Sequence, residues 1–140
     1  MATRGQAWTS SRSACRCSVS AEFSARRKNG LGYVIDSTTI GRYPSVPNVL
    51  RDVPGLQSSL RGASLSAQVP DGRGGTCIPT VWLDGLEAGY GNLLDLSTKE
   101  LVGLEVYIRP LTVPPAYVLP GGALQCGAIL AWTSYLFKNR

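Results

Sequence analysis

The chain has 140 residues, of which 44% are hydrophobic and 16% charged, a balance that fits one folded domain with a modest core and excludes a chain disordered throughout. Its net charge of +5 belongs to the first 28 residues, where Arg4, Arg12, Arg16, Arg26, Arg27 and Lys28 face Glu22 alone, while the remainder is balanced. The absence of histidine removes the usual general base, the histidine-containing triads and the commonest metal ligand, and basic residues gathered in an arm, not patterned with aromatics across a domain face, do not read as a nucleic-acid surface.

Met1–Ala21 is rich in Ser, Thr, Ala and Arg and has no continuous apolar stretch of the secretory type. A transit-like leader, a linker and a segment foreign to the native product are all compatible with it, and residues 1–22 are read as a basic, flexible arm. Cys15-Arg16-Cys17 has one intervening residue, too tight for the common Cys-x-x-Cys metal or redox spacing. Phe23–Lys28 is a basic leading segment closed by an Asn29-Gly30 turn. Leu31–Ile40 reads as a short strand around Tyr33, Val34 and Ile35.

Ser45 is a candidate N-cap for a helix over Val46–Asp52, with Pro47 tolerated in the first turn. Val46, Val49, Leu50 and Val53 recur at helical spacing, and Pro54-Gly55 ends the element. Leu56–Val69 partly alternates and predicts one or two edge strands. Pro70–Gly75 is turn chemistry; with no Lys-Ser/Thr after it, it is a hairpin tip and not a phosphate loop.

Thr80–Gly85, Leu104–Ile108 and Gly127–Thr133 are rich in β-branched and aromatic residues and bounded by Gly or Pro, which predicts neighbouring strands of one sheet. Asp84-Gly85 marks a tight reversal. Glu87–Leu96 is turn-rich, with Gly89 and Gly91 around Tyr90. Ser97-Thr98-Lys99-Glu100 fits a capping box, predicting one or two helical turns before Gly103. Pro110, Pro114 and Pro115 predict an extended connector, and Pro120-Gly121-Gly122 a loop. Gly127–Phe137, the longest apolar run, falls far short of the ~20 residues of a membrane-spanning helix. The fold class expected is α+β: a small mixed β-sheet with two short helices over residues 23–137, followed by a tail at 138–140.

Several segments, taken in order, resemble the plug domain of TonB-dependent outer-membrane receptors, in the subgroup whose plug follows a carboxypeptidase-regulatory-like domain. They are Phe23-x-x-Arg26-Arg27 with Gly30-x-Gly32-Tyr33-Val34-Ile35, similar to the first strand, and Asn48-Val49-Leu50-Arg51-Asp52-Val53-Pro54-Gly55-Leu56, similar to the helix and its stop. Ser59-Leu60-Arg61, Cys77–Gly85, Leu104-Glu105-Val106-Tyr107 with Arg109-Pro110, and Cys126–Thr133 follow in the family's order. The chain departs from the pattern where Arg109 and Pro110 lack an intervening glycine and where Ser134 follows Trp132-Thr133. Ser18-Val19-Ser20-Ala21 is similar only in its ending to the box that contacts TonB.

The resemblance implies a plug lodged in a barrel of about 22 strands, gated when TonB pulls on an N-terminal motif, with no covalent chemistry and no cofactor. The implied partners are an outer-membrane β-barrel in cis or in trans, TonB, and a small-molecule or oligosaccharide substrate such as a siderophore or vitamin. Nucleic acid is not among them. The implied location is the outer membrane, inside a barrel and facing the periplasm. Barrel strands and a signal segment are not among these 140 residues, so a free-standing, non-enzymatic interaction module with a plug fold is the alternative expectation. Candidate substrate-contacting loops are Asp71–Gly75 and Glu87–Asn92, through Asp71, Arg73, Glu87, Tyr90 and Asn92. Arg61, Glu105 and Arg109 hold positions where charge would meet the barrel wall, or would simply be solvated. The resemblance also brings Cys77 and Cys126 near each other, and a disulfide in an oxidising periplasm is the expectation, against two separate buried thiols.

Overall fold

A computed structural model describes residues 21–71, 73–118 and 126–134. Cys15 and Cys17, the Pro120-Gly121-Gly122 loop and the tail at 138–140 lie outside the described residues. In chain order, helix α1 (residues 21–29) precedes strand β1 (Tyr33–Asp36), a single helical turn α2 (Ser37–Ile40) and helix α3 (Val46–Arg51). Strands β2 (Gln57–Arg61), β3 (Ser64–Pro70), β4 (Thr76–Cys77), β5 (Thr80–Leu83) and β6 (Leu86–Ala88) follow. Helix α4 (Tyr90–Leu94), strand β7 (Leu101–Tyr107), two 3-10 turns (Pro110–Thr112 and Pro115–Tyr117) and strand β8 (Ala128–Thr133) complete the described chain.

Five strands form a mixed sheet in the order β1-β7-β8-β5-β6, with β8 and β5 parallel and the other neighbours antiparallel. Strands β2-β3-β4 form a second, antiparallel sheet. The two central strands carry apolar residues on both faces, because both faces are covered. Leu104, Val106, Ile129 and Ala131 pack with Ile40, Val49, Leu50, Leu93 and the inward face of β3. That face of β3 is Leu65, Ala67 and Val69, alternating with exposed residues as a half-buried strand should. On the opposite face, Tyr107, Ala128, Leu130 and Trp132 pack with Phe23 of α1 and with Val113 and Tyr117 of the proline-rich connector.

The three strand runs legible in the sequence are neighbours, as expected, and the fold class is the α+β one. The β5–β6 reversal is also where it was expected: Asp84 (φ 52°) and Gly85 (φ 90°) both adopt the left-handed region, as a two-residue hairpin turn of the primed type requires. Asp84 is held there because its carboxylate accepts hydrogen bonds from the backbone N–H (2.8 Å) and hydroxyl (2.6 Å) of Thr133. Helix α3 begins after Ser45 with Pro47 in its first turn, and its Val46, Val49 and Leu50 are buried.

Other elements differ. Phe23–Lys28 is helical and does not lead into a strand until Tyr33; β1 stops at Asp36, whose side chain accepts from Thr39 N–H (3.0 Å) and caps the turn α2. The Ser97–Glu100 box forms its bonds, Lys99 N–H to Ser97 Oγ (3.1 Å) and Ser97 N–H to Glu100 Oε1 (2.9 Å), yet no helix follows. Leu101 instead pairs with Thr133 and the chain enters β7. The supposed turn-rich stretch Glu87–Leu96 contains α4, and the connector is folded into two 3-10 turns instead of being extended.

Cys77 and Cys126 are joined by a disulfide with a Cα–Cα distance of 6.1 Å, inside the normal range. It ties the end of the small sheet to the residue two places before β8. Because it closes a loop with a sequence separation of 49, the chain-entropy model gives it up to about 4 kcal/mol. Reduction, or replacement of both cysteines by serine, is expected to lower the thermal midpoint clearly. Identical midpoints with and without reductant would show that the bond contributes nothing.

Candidate functional site

Glu105 lies in the middle of β7 with no exposed surface. A buried carboxylate is costly unless it is paired and hydrogen-bonded, and here both oxygens are fully engaged. Oε1 accepts from Arg26 Nε (2.6 Å) and from the Tyr107 hydroxyl (2.6 Å). Oε2 accepts from Arg26 Nη2 (2.9 Å) and from the Trp132 indole N–H (2.6 Å). The sheet dictates this arrangement. Tyr107 is two residues further along β7 and so shares the face of Glu105, and Trp132 of β8 pairs opposite Gly103. Gly103 makes room for the helix above: a Cβ there would lie 2.5 Å from Phe23 Cζ.

Arg26 approaches from α1 with its side chain only 12% exposed, and its guanidinium lies 5.8 Å from the Tyr117 ring centre and 5.9 Å from that of Trp132. Tyr117 in turn meets Trp82 and Trp132 edge-on, at 5.3 and 6.2 Å. The result is a bidentate ion pair walled by aromatic rings. Burial disfavours the Arg26 charge, but the hydrogen bonds and negative charge of Glu105 outweigh it and leave the guanidinium pKa above its ordinary value. Burial, reinforced by donation to Glu105, pushes the Tyr107 phenol up from 10.0.

A second feature is the end of the main sheet where β5, β8 and β1 begin and β7 ends. Loop 71–75 enters this end through β4, Tyr90 donates its hydroxyl to the Pro79 carbonyl (2.8 Å), and Arg109 leaves β7 there. Between α1 and the connector runs an open groove of about 460 Å³, bordered by Glu22, Leu31, Leu111, Pro114 and Pro115, with Arg26 and Tyr107 at its wall. A second hollow of about 390 Å³ adjoins it, lined by Leu31, Tyr33, Ile108 and Arg109.

The residues singled out from the sequence are thus partly gathered. Asp71 and Arg73 are exposed on loop 71–75, where the Asp71 carboxylate accepts from Arg73 N–H (2.7 Å) and Gly75 N–H (3.0 Å). Those backbone donors, Arg73 first, hold its pKa below the usual carboxylate value. Tyr90 reaches the same end of the sheet, but Asn92 serves its own helix, accepting from Gly89 N–H (3.0 Å). Glu87 is exposed in β6 opposite Trp82. Arg61 is exposed at the β2–β3 tip, the far end of that hairpin from Asp71. Arg109 is exposed, whereas Glu105 is wholly interior and has no surface to offer a wall or solvent. Among the described residues no group of three or more acid or thiol side chains is placed to hold a metal ion.

Sequence reasoning did not find the Arg26–Glu105 pair or the ring of Trp82, Tyr117 and Trp132 around it. The available signal was Glu105 itself, a lone acid inside Leu104-Glu105-Val106-Tyr107, which in a strand covered on both faces demands a buried cation.

No family model matches the sequence, and no curated protein matches it significantly. Solved structures do share the fold. The RagAB peptide importer in its "open-open" state superposes with a TM-score of 0.53 at 15% identity, and in its "closed-closed" state with 0.50 at 16%. In each case the match covers 74% of this chain and 12% of the importer chain. This chain therefore shares its fold with a small part of a much longer transporter chain.

Glu105→Gln keeps the shape but leaves the Arg26 charge buried without its counter-charge. A loss of about 3–5 kcal/mol is expected in urea unfolding, and a loss below about 1 kcal/mol would mean the pair is solvated in practice. Alkaline pH acts through Tyr107. Its folded-state pKa is raised, so its contribution is complete below the ordinary value of 10.0 and is lost as pH climbs toward the raised value. Urea midpoints measured from about pH 9 to about pH 11 are expected to fall above 10, and less steeply in Tyr107→Phe. Tyr90 and Tyr117, also raised by burial, and Tyr43, raised by its hydrogen bond to Asp52, add to the slope.

Proposed function

We propose that this chain is a plug-like element of a TonB-dependent outer-membrane uptake receptor. The observation that carries the reading is that the segments resembling a plug build a fold which recurs as a minor part of a peptide-importer chain. On this reading the domain works by occlusion and contact, without covalent chemistry. The exposed Arg61 and Arg109 meet the polar inner wall of a barrel, supplied by the same polypeptide or another. Asp71 and Arg73 of loop 71–75, with Glu87 of β6 and Tyr90 and Asn92 of α4, form the surface that touches the substrate, a class that spans siderophores, vitamins, oligosaccharides and peptides. TonB engages a segment on the N-terminal side of α1. The oxidising periplasm suits the Cys77–Cys126 bond.

The test uses an antibody against residues 33–118 on fractionated native cells. The expected result is recovery in the outer membrane, on or with a β-barrel polypeptide, together with loss of uptake of the cognate nutrient when TonB is deleted. Recovery only in a soluble fraction, with no barrel bound and no TonB dependence, would overturn the proposal in favour of a free-standing interaction module.

A further inference from the structure

The groups that accept from and stack beside the Arg26 guanidinium come from outside the helix that carries it, which adds Phe23 to the surrounding cluster and Glu22 at 3.9 Å. Glu105 and Tyr107 come from β7, Trp132 from β8 and Tyr117 from the connector. Tyr107 and Trp132 each donate to one carboxylate oxygen of Glu105, which leaves the second acceptor site of each oxygen aimed outward as a matched pair. Two aromatic rings stand beside that pair, at similar distances from the guanidinium carbon. A carboxylate fork with flanking π faces suits a planar guanidinium, and suits it better than a compact ammonium.

Apart from this contact, helix α1 is anchored chiefly by Phe23. Over residues 21–29 only Phe23 is classed as buried, and the other side chains besides Arg26 are exposed. The tie from Arg27 to Asp36 (2.8 Å) is an exposed ion pair, of a kind worth at most about 1 kcal/mol. The groove of about 460 Å³ runs beside Arg26 and Tyr107 and gives access to this contact from outside.

We infer that the Glu105 pocket is a guanidinium-binding site whose present occupant is the chain's own Arg26, so that α1 is a displaceable latch and an arginine-bearing peptide can take its place. This inference stands independently of the transport reading. Tethering gives Arg26 an effective concentration in the millimolar range. A free guanidinium compound therefore binds readily once Arg26 is removed and competes with it only at comparable concentration.

The experiment uses the full chain carrying Arg26→Ala, with methylguanidinium chloride as probe and sodium chloride at equal ionic strength as control. The expected result is a saturable rise of several degrees in thermal midpoint at millimolar probe. The rise should be much smaller in wild type over the same range and missing in the Arg26→Ala/Glu105→Gln double variant. A folded Arg26→Ala protein that responds no differently to probe and to salt overturns the inference. Should Arg26→Ala fail to fold at every probe concentration, hydrogen exchange on the wild-type chain decides. Arginine amide is then expected to reduce amide protection within residues 21–29 more than lysine amide or salt does, leaving β7 and β8 unaffected. Protection unchanged by arginine amide, or changed equally by salt, overturns it.

Discussion

A carboxylate in the middle of a strand with no exposure to water governs one whole face of this protein. Removing the Glu105 charge from solvent carries a penalty of several kcal/mol that only close, well-aligned partners offset. The sheet supplies two neutral donors, Tyr107 and Trp132, at fixed register positions. The remaining demand is for positive charge, and no basic residue of β7 or β8 can meet it. That is why α1 lies across the sheet where it does and why the connector folds back to bring Tyr117 over the same spot. The opposite face has no comparable requirement. It is a conventional apolar contact of α3, α4 and β3 on the strands, with its geometry set by packing.

These two faces differ in how they were legible. The strand runs around Val81, Val106 and Ile129 and the helix carrying Val49 and Leu50 announce themselves by periodicity and bounding Gly or Pro, because apolar burial leaves a repeating pattern. The misreadings share a different cause. The Ser97–Glu100 box is chemically real, but pairing of Leu101 with Thr133 captured the chain before a helix could continue. Helix α4 was hidden by two glycines around Tyr90, and its cap is Asn92 bonding to Gly89, without the usual Ser, Thr or Asp ahead of it. Three prolines restrict φ in a way that permits a 3-10 turn as easily as an extended chain, and the need to cover Trp132 chose between them.

The candidate site was legible only in fragments. Arg26 and Glu105 were each visible within separate motifs, yet a contact between residues 79 positions apart has no signature in local spacing. The exposed residues are the reverse case: Asp71 and Arg73 on loop 71–75 and Glu87 on β6 were found by turn composition and are where a ligand could reach them. Composition, however, does not reveal that the Asp71 carboxylate is already engaged by its own loop backbone. Residues whose work is to hold the chain and residues free to meet something else look alike until the hydrogen bonds are known.

The position of β8 carries one more consequence. It is the last described strand in the sequence and yet lies between β7 and β5, so the main sheet has no centre until Ala128–Thr133 arrives. Before then β5 and β7 each present an open edge of unpaired backbone groups, the condition that invites association with other chains. A nascent polypeptide stopped short of this strand therefore leaves both edges unpaired, and the main sheet is completed late, through contacts that are distant along the chain.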